Sequence, residues 1–360
     1  MPGFFIGIFW RAQLAHAVTF WIPDLLNKLR VKEAELALKS LNLPGLQTIL
    51  ARSDRFAAKP QSFYQQASFL FHQKECLPIA VTKASAELKD FDSKQFWLSV
   101  DPVQMVPDRD TLVLIPSEDL QISEEESKEL LATFNAHFAE DKVELIWARP
   151  NHWYLSIVQP VDIKTTSIDE IAYKSVNDNY PTGNAAQYWR QLLNETQMLF
   201  YSHPVNEARR EKGWPEINSV WVWGEGKINP DKITTRMDSA IWSNNTFMKG
   251  MGKLSQAHVG SSPASYQAWL NRIEQSKTPR INKHFICLDS ISNELGNLQQ
   301  EEWVELLKKL EEDWFAPLVE SVKEGTIDSL LVDLGQDYRS HLKQSHLRRF
   351  WRLKKSLSKI

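Results

Sequence analysis

Two arginines give the first chemical suggestion in this 360-residue sequence. Arg109 lies in "VPDRDTLVLI" and Arg209 in "HPVNEARREKGWPEINSVWVWGEG". A guanidinium makes paired, charge-assisted hydrogen bonds to phosphate or carboxylate, so two of them at element ends could build an anion site. His203, just before Pro204, could join that site or hydrogen-bond backbone at a helix end. Asp108, Asp110, Glu207 and Glu211 are the neighbouring carboxylates, and ordinary ion pairing with them is the competing reading of the two arginines. Asp289 and Asp333 close the apolar runs "KHFICLD" and "SLLVDLG", where a carboxylate can hold a metal ion or cap the next turn. Trp221 and Trp223 alternate with Val220 and Val222, which puts both indoles on one face of a strand, as core. Gly224 and Gly226 follow and allow a tight turn or a close approach.

The rest of the chain must position these residues. With 42% hydrophobic and 24% charged residues and a net charge of −3, the composition is that of a globular protein of two domains, or of one domain with an insertion. The charge argues against a nucleic-acid partner. Two cysteines, Cys76 and Cys287, give no disulfide framework and fit a reducing, cytoplasmic setting. The apolar N-terminus lacks a basic lead and a cleavage pattern, and no apolar run is long enough for a membrane span. "GFFIGIFW" (3–10) reads as a buried strand, and "IPDLLNKLRVKEAELALKSL" and "LPGLQTILARSD" read as helical. "CLPIAVTKAS", "FWLSVDPVQM" and "DTLVLI" read as strands. Ser123 with Glu126 forms a capping-box signal for a helix over 123–140, and two strands flank a turn at Arg149–Asn151. A helix over 183–203 ends at Pro204. The runs 283–289 and 329–335 flank a long helical stretch, the strand–helix–strand order of a parallel sheet. The tail carries eight Lys/Arg and no acid from Tyr338 onward, with Leu342, His346, Phe350, Leu353 and Leu357 at helical spacing. It predicts a docked basic helix, or a surface for anionic lipid or nucleic acid.

Taken together, "DPVQMVPDRDTLVLI", "ISEEESKELLATFNAHF", "VELIWARPNHWYLSI" and "YPTGNAAQYWRQLLNETQMLFYSHPVNEARREKGWPEINSVWVWGEG" resemble the insertion module of archaeal-type cofactor-independent phosphoglycerate mutases, of the alkaline-phosphatase-like superfamily. The whole chain is similar to the RpfE-type regulatory proteins, a bacterial group related to those mutases. The resemblance implies an α/β fold: an alkaline-phosphatase-like, mostly parallel sheet with helices on both faces, interrupted by an α+β insertion module. The expected division is 1–101 with 219–345 for the phosphatase-like domain, 102–218 for the module and 346–360 for the basic tail. It also makes Arg109, Arg209 and His203 the anion-binding candidates. The family's Ser-Tyr-Arg stretch is "NHWYL" here, so one arginine is missing, with His152 or Arg149 as substitutes.

Mutases of this superfamily use two divalent metal ions and a Ser or Thr nucleophile, held by Asp and His at the carboxyl ends of parallel strands. Asp289 and Asp333 match two of those positions, but no His follows either one, and Arg11 stands where the first Asp is wanted. No Ser or Thr stands in a nucleophile context. The sequence therefore predicts a non-catalytic, cytoplasmic relative with a regulatory or anion-binding role, no cofactor, and a phosphorylated small molecule or a protein as partner. Asp289 and Asp333 remain weak metal candidates. The alternative is an active phosphoglycerate mutase, or another metal-dependent phosphoryl-transfer enzyme, with a remodelled site.

Overall fold

The structure is a computed structural model, and it describes residues 15–59, 61–141, 143–275 and 281–357. Its strands are β1 (His16–Trp21), β2 (Asp54–Ala57), β3 (Phe96–Asp108), β4 (Thr111–Ile115), β5 (Leu145–Arg149), β6 (His152–Ile157), β7 (Ser219–Gly226), β8 (Ser239–Trp242), β9 (His258–Gly260), β10 (Lys283–Cys287), β11 (Ile327–Asp333) and β12 (Tyr338–Leu342). The chain forms two compact units, residues 73–234 and the remainder. The expected module was narrower, at 102–218. The difference arises because β3 begins at Phe96 and β7, which lies beyond 218, pairs with it antiparallel from Val103↔Ser219 to Trp97↔Gly226.

The discontinuous unit holds a seven-stranded sheet in the order β2-β12-β11-β1-β10-β8-β9. Its inner strands are parallel, and β12 and β2 add an antiparallel margin. The expected runs 283–289 and 329–335 are β10 and β11, and both pair with β1. The strand expected over 3–10, and Arg11 after it, lie outside the described residues. The strand between β10 and β11 is instead "HAVTFW", whose polar His16 and Thr19 interrupt the apolar pattern that marks a buried strand. Val18 and Phe20 point to one face and join Ile286, Leu330 and Val332 in a core closed by Trp303, Leu307, Trp314 and Phe315.

Trp303 and Leu307 come from helix Gln300–Leu310, which passes through a π-helical turn at Glu311–Phe315 into helix Ala316–Glu324. That turn presents Glu311 to a second helix, Pro44–Arg52, whose Gly45 and Leu46 N–H groups donate to the carboxylate at 2.6 and 3.0 Å. An anion thereby satisfies the open donors of a helix N-terminus inside the core.

The tail departs from expectation. It is not a helix: Leu342 ends β12, a single 3-10 turn covers Gln344–Arg348, and the described remainder has no regular helix or strand beyond it. Phe350, Trp351 and Leu353 are exposed, while Leu357 is buried. Basic side chains fix this path, with Arg349 bonded to Asp54 and Arg352 to the Ser53 carbonyl. Of the helically spaced residues only Leu342 is drawn into β12, which pairs antiparallel with β11 and β2.

Residues 73–234 form an antiparallel sheet, β4-β3-β6-β5, with β7 also on β3. Helices Glu124–His137 and Ala186–Tyr201 cover one face, with Leu130, Phe134, Trp189 and Leu193 packed on Leu98, Val100, Val220 and Val222. The Ser123–Glu126 capping box forms as predicted. "CLPIAVTKAS" is not a strand; Ile79–Glu87 is a helix, with Pro78 at its N-cap and Thr82 bonded back to the Pro78 carbonyl at 2.6 Å.

Candidate functional site

In the parallel sheet, β1, β10 and β11 end together: Trp21 lies beside both Cys287 and Asp333 in register. Carboxyl ends of parallel strands are where open α/β sheets place ligands. Asp333 closes β11, and Asp289 opens helix Asp289–Leu295 two residues beyond β10. Ser243, just past β8, donates to Asp289 Oδ1 at 2.8 Å. Asp333 is buried, and both its oxygens are engaged. Oδ2 accepts from Arg339 Nε and Gln66 Nε2, each at 2.7 Å, and Oδ1 accepts from Gly335 N–H at 3.2 Å. Burial raises the Asp333 carboxyl above its usual range, against the pull of these donors.

This donor set does not fit a divalent metal pair. The charge beside Asp333 is already balanced by a guanidinium, which would repel a metal ion at the same carboxylate. Burial and the nearby Asp289 push the Cys287 thiol well up. No group of three metal-ligating side chains occurs among the described residues.

The expected anion residues sit in residues 73–234 and are not joined by any contact among the described residues. Arg209 is 1% exposed. Its Nη1 donates to both Glu126 oxygens at 2.9 Å, its Nε to the Pro215 carbonyl at 2.6 Å and its Nη2 to the Leu120 carbonyl. All three guanidinium nitrogens are therefore used inside the unit. The local carboxylates Glu207 and Glu211 are not its partners; Glu126 is, the same residue that completes the capping box of helix Glu124–His137. His203 caps helix Pro204–Glu211, accepting from Val205 N–H at Nδ1 and meeting Thr133 Oγ1 at 2.9 Å through Nε2. Burial lowers its pKa, which suits a neutral ring in that role. Pro204 does not merely end the preceding helix; it occupies the first turn of the next one. Arg109 differs from both. It is exposed at the tip of the β3–β4 hairpin with φ 55°, flanked by exposed Asp108 and Asp110.

Of the substitutes suggested for the missing arginine, His152 belongs to a buried polar network that sequence spacing did not reveal, and the partly exposed Arg149 edges it. His152 Nδ1 and Trp223 Nε1 both bond to Asp101, the latter at 2.8 Å. Burial opposes ionisation of Asp101, yet His152, Lys83 and these bonds outweigh it and hold its carboxyl low. Lys83 lies 4.6 Å from the Trp223 ring, Tyr154 donates to Glu87 at 2.5 Å, and Arg149 pairs with Glu87 at 3.0 Å. His152 is 1% exposed and its Nε2 has no hydrogen-bond partner among the described residues, so the network is a buried polar core that is only partly satisfied. The two glycines after Trp223 serve packing as well: a Cβ on Gly226 would stand 2.4 Å from that of Pro78.

No family model matches the chain. Among curated proteins, it is 26% identical over 137 residues to the 2,3-bisphosphoglycerate-independent phosphoglycerate mutase of Methanosarcina barkeri, covering 36% of this chain and 34% of that one. It is 29% identical over 138 residues to the corresponding protein of Geobacter sulfurreducens, covering 36% and 32%. The alignments thus span about a third of the length of these curated relatives. Among solved structures, the cofactor-independent phosphoglycerate mutase of Thermoplasma acidophilum superposes with a TM-score of 0.53 at 13% identity, over 95% of this chain and 94% of that one. A Pyrococcus horikoshii protein gives 0.59 at 12% identity, over 91% and 86%. The chain is related at low identity to cofactor-independent phosphoglycerate mutases and has their mixed α/β, mostly parallel fold.

Proposed function

We propose that this chain is a non-catalytic relative of the cofactor-independent phosphoglycerate mutases, of the RpfE regulatory type, acting in the cytoplasm on a phosphorylated small molecule or a protein partner. The observation that carries the reading is the Asp333–Arg339 pair. A carboxylate at the carboxyl end of the sheet, where a metal ligand belongs in the related enzymes, is neutralised by the chain's own cation. Of the three expected anion contacts, Arg109 keeps its guanidinium exposed, and it is the one we retain for a phosphorylated ligand. Calorimetric titration of the metal-free chain with Mn²⁺ tests the reading. It predicts no saturable binding; micromolar binding that disappears in Asp333→Asn contradicts it.

A further inference from the structure

A cavity of about 710 Å³ runs along one face of the parallel sheet. It is the face opposite Phe20 and Ile286, since alternate residues of a strand point to opposite sides. Thr19 pairs in register with Phe285 on one side and Leu331 on the other, and these residues form the floor. Phe69 and Phe71 supply a wall. The volume is that of a small-molecule site.

The charge on the lining is one-sided. Arg236, Lys283, His72 and Arg339 line the cavity, and no aspartate or glutamate does among the described residues. Lys283 is paired with Asp238, and Arg339 with Asp333. Arg236 has no carboxylate partner among the described residues; its Nη2 donates to the His72 carbonyl at 3.0 Å. Arg236 Nε and Arg339 Nη2 are both buried without an acceptor among the described residues. Buried donors of charged groups are rarely left unpaired, because doing so forfeits their hydration. Arg339 is only 5% exposed, and its guanidinium lies 4.7 Å from the Phe69 ring.

A wholly apolar occupant would cover the uncompensated charge of Arg236, and a wholly polar one would waste the apolar floor and wall. We propose that the cavity binds an amphipathic monoanion, a carboxylate on an apolar body, with its head at Arg236 and its body over Phe285 and Leu331. Ser239 and Lys283 open β8 and β10, so the Arg236 end lies toward the amino ends of those strands, away from Asp289 and Asp333. The proposal is therefore independent of how the carboxyl end is read. It also makes His72 a reporter: burial, Arg236 and Lys283 now lower its pKa, and a bound carboxylate reverses part of that shift.

The test is calorimetric titration of the full chain with decanoate and, in parallel, 1-decanol, with His72 followed by NMR. The expected result is saturable 1:1 decanoate binding, at least tenfold weaker for decanol and in Arg236→Gln, and a rise in the His72 pKa on saturation. Leu331→Trp, which fills the cavity and leaves Arg236 in place, should abolish binding while its melting curve confirms a folded chain. Absence of saturable decanoate binding overturns the proposal, as does equal affinity in wild type, Arg236→Gln and Leu331→Trp.

Discussion

Arg339 donates from Nε to Asp333 Oδ2 at 2.7 Å, with both side chains almost wholly withdrawn from water. Two such charges support each other only together, because either one alone is a buried, uncompensated ion. Arg339→Met and Asp333→Leu should each destabilise the fold by about 3–5 kcal/mol, and the double variant should recover much of that loss. Urea denaturation of the four proteins checks this. Additive losses would mean that charge pairing is not what binds the two residues.

Arg209→Met should cost a similar amount, about 3–5 kcal/mol, because it strands Glu126 and two buried carbonyls. It should leave unchanged any thermal shift produced by 3-phosphoglycerate. Arg109→Gly should be neutral or stabilise by up to about 1 kcal/mol, since Arg109 holds a left-handed conformation that glycine adopts freely. If Arg109→Gly also removes a phosphoglycerate-dependent shift, Arg109 is the anion contact.

These two arginines show what was legible in the sequence and what was not. Residue type and local spacing gave the capping box at Ser123, the β5–β6 turn, and the order of β10 and β11 around a helix. Each depends on neighbours within a few positions or on an unbroken apolar run. Arg209 depends on Glu126, 83 positions away in sequence, and local carboxylates were the wrong candidates. β1 was missed because a central strand that carries His16 and Thr19 lacks an unbroken apolar signal, although each polar group has its place: His16 meets His284 at 3.1 Å, and Thr19 faces the cavity. The run at Ile79–Glu87 reads as a strand because β-branched Ile79, Val81 and Thr82 cluster there, whereas in the structure Pro78 stands at the N-cap of a helix.

Acid should weaken the discontinuous unit through its buried histidines. His284 accepts from Trp242 Nε1 at 3.2 Å and faces His16; burial first, then His16 and His258, lower its pKa from 6.5 to about 3. His16 is lowered as well, burial outweighing Asp328. Below about pH 6.5 the unfolded chain takes up protons that the folded chain refuses, so stability falls with pH down to about 3. His284 alone should remove about 2 kcal/mol between pH 7 and pH 5. Urea midpoints across that range check it, and His284→Gln should flatten the slope; an unchanged slope contradicts the assignment.

Gly45 should tolerate no side chain. A Cβ there would lie 2.5 Å from Ala316 N, where helix Pro44–Arg52 meets the chain just past Glu311. Gly45→Ala should destabilise by about 1–3 kcal/mol through forced separation of the two backbones and loss of the Glu311 cap. A melting temperature equal to wild type would show that the helices approach less closely.

Because Asp333 at the carboxyl end of the sheet already holds its own cation, Arg339, the chain should lack mutase activity, and one assay checks this. The purified chain, supplied with Mn²⁺, is incubated with 3-phosphoglycerate, and 2-phosphoglycerate is followed with time. No product should form above the buffer rate, in wild type and in Asp289→Asn alike. Enzyme-like turnover by wild type that Asp289→Asn abolishes would contradict it.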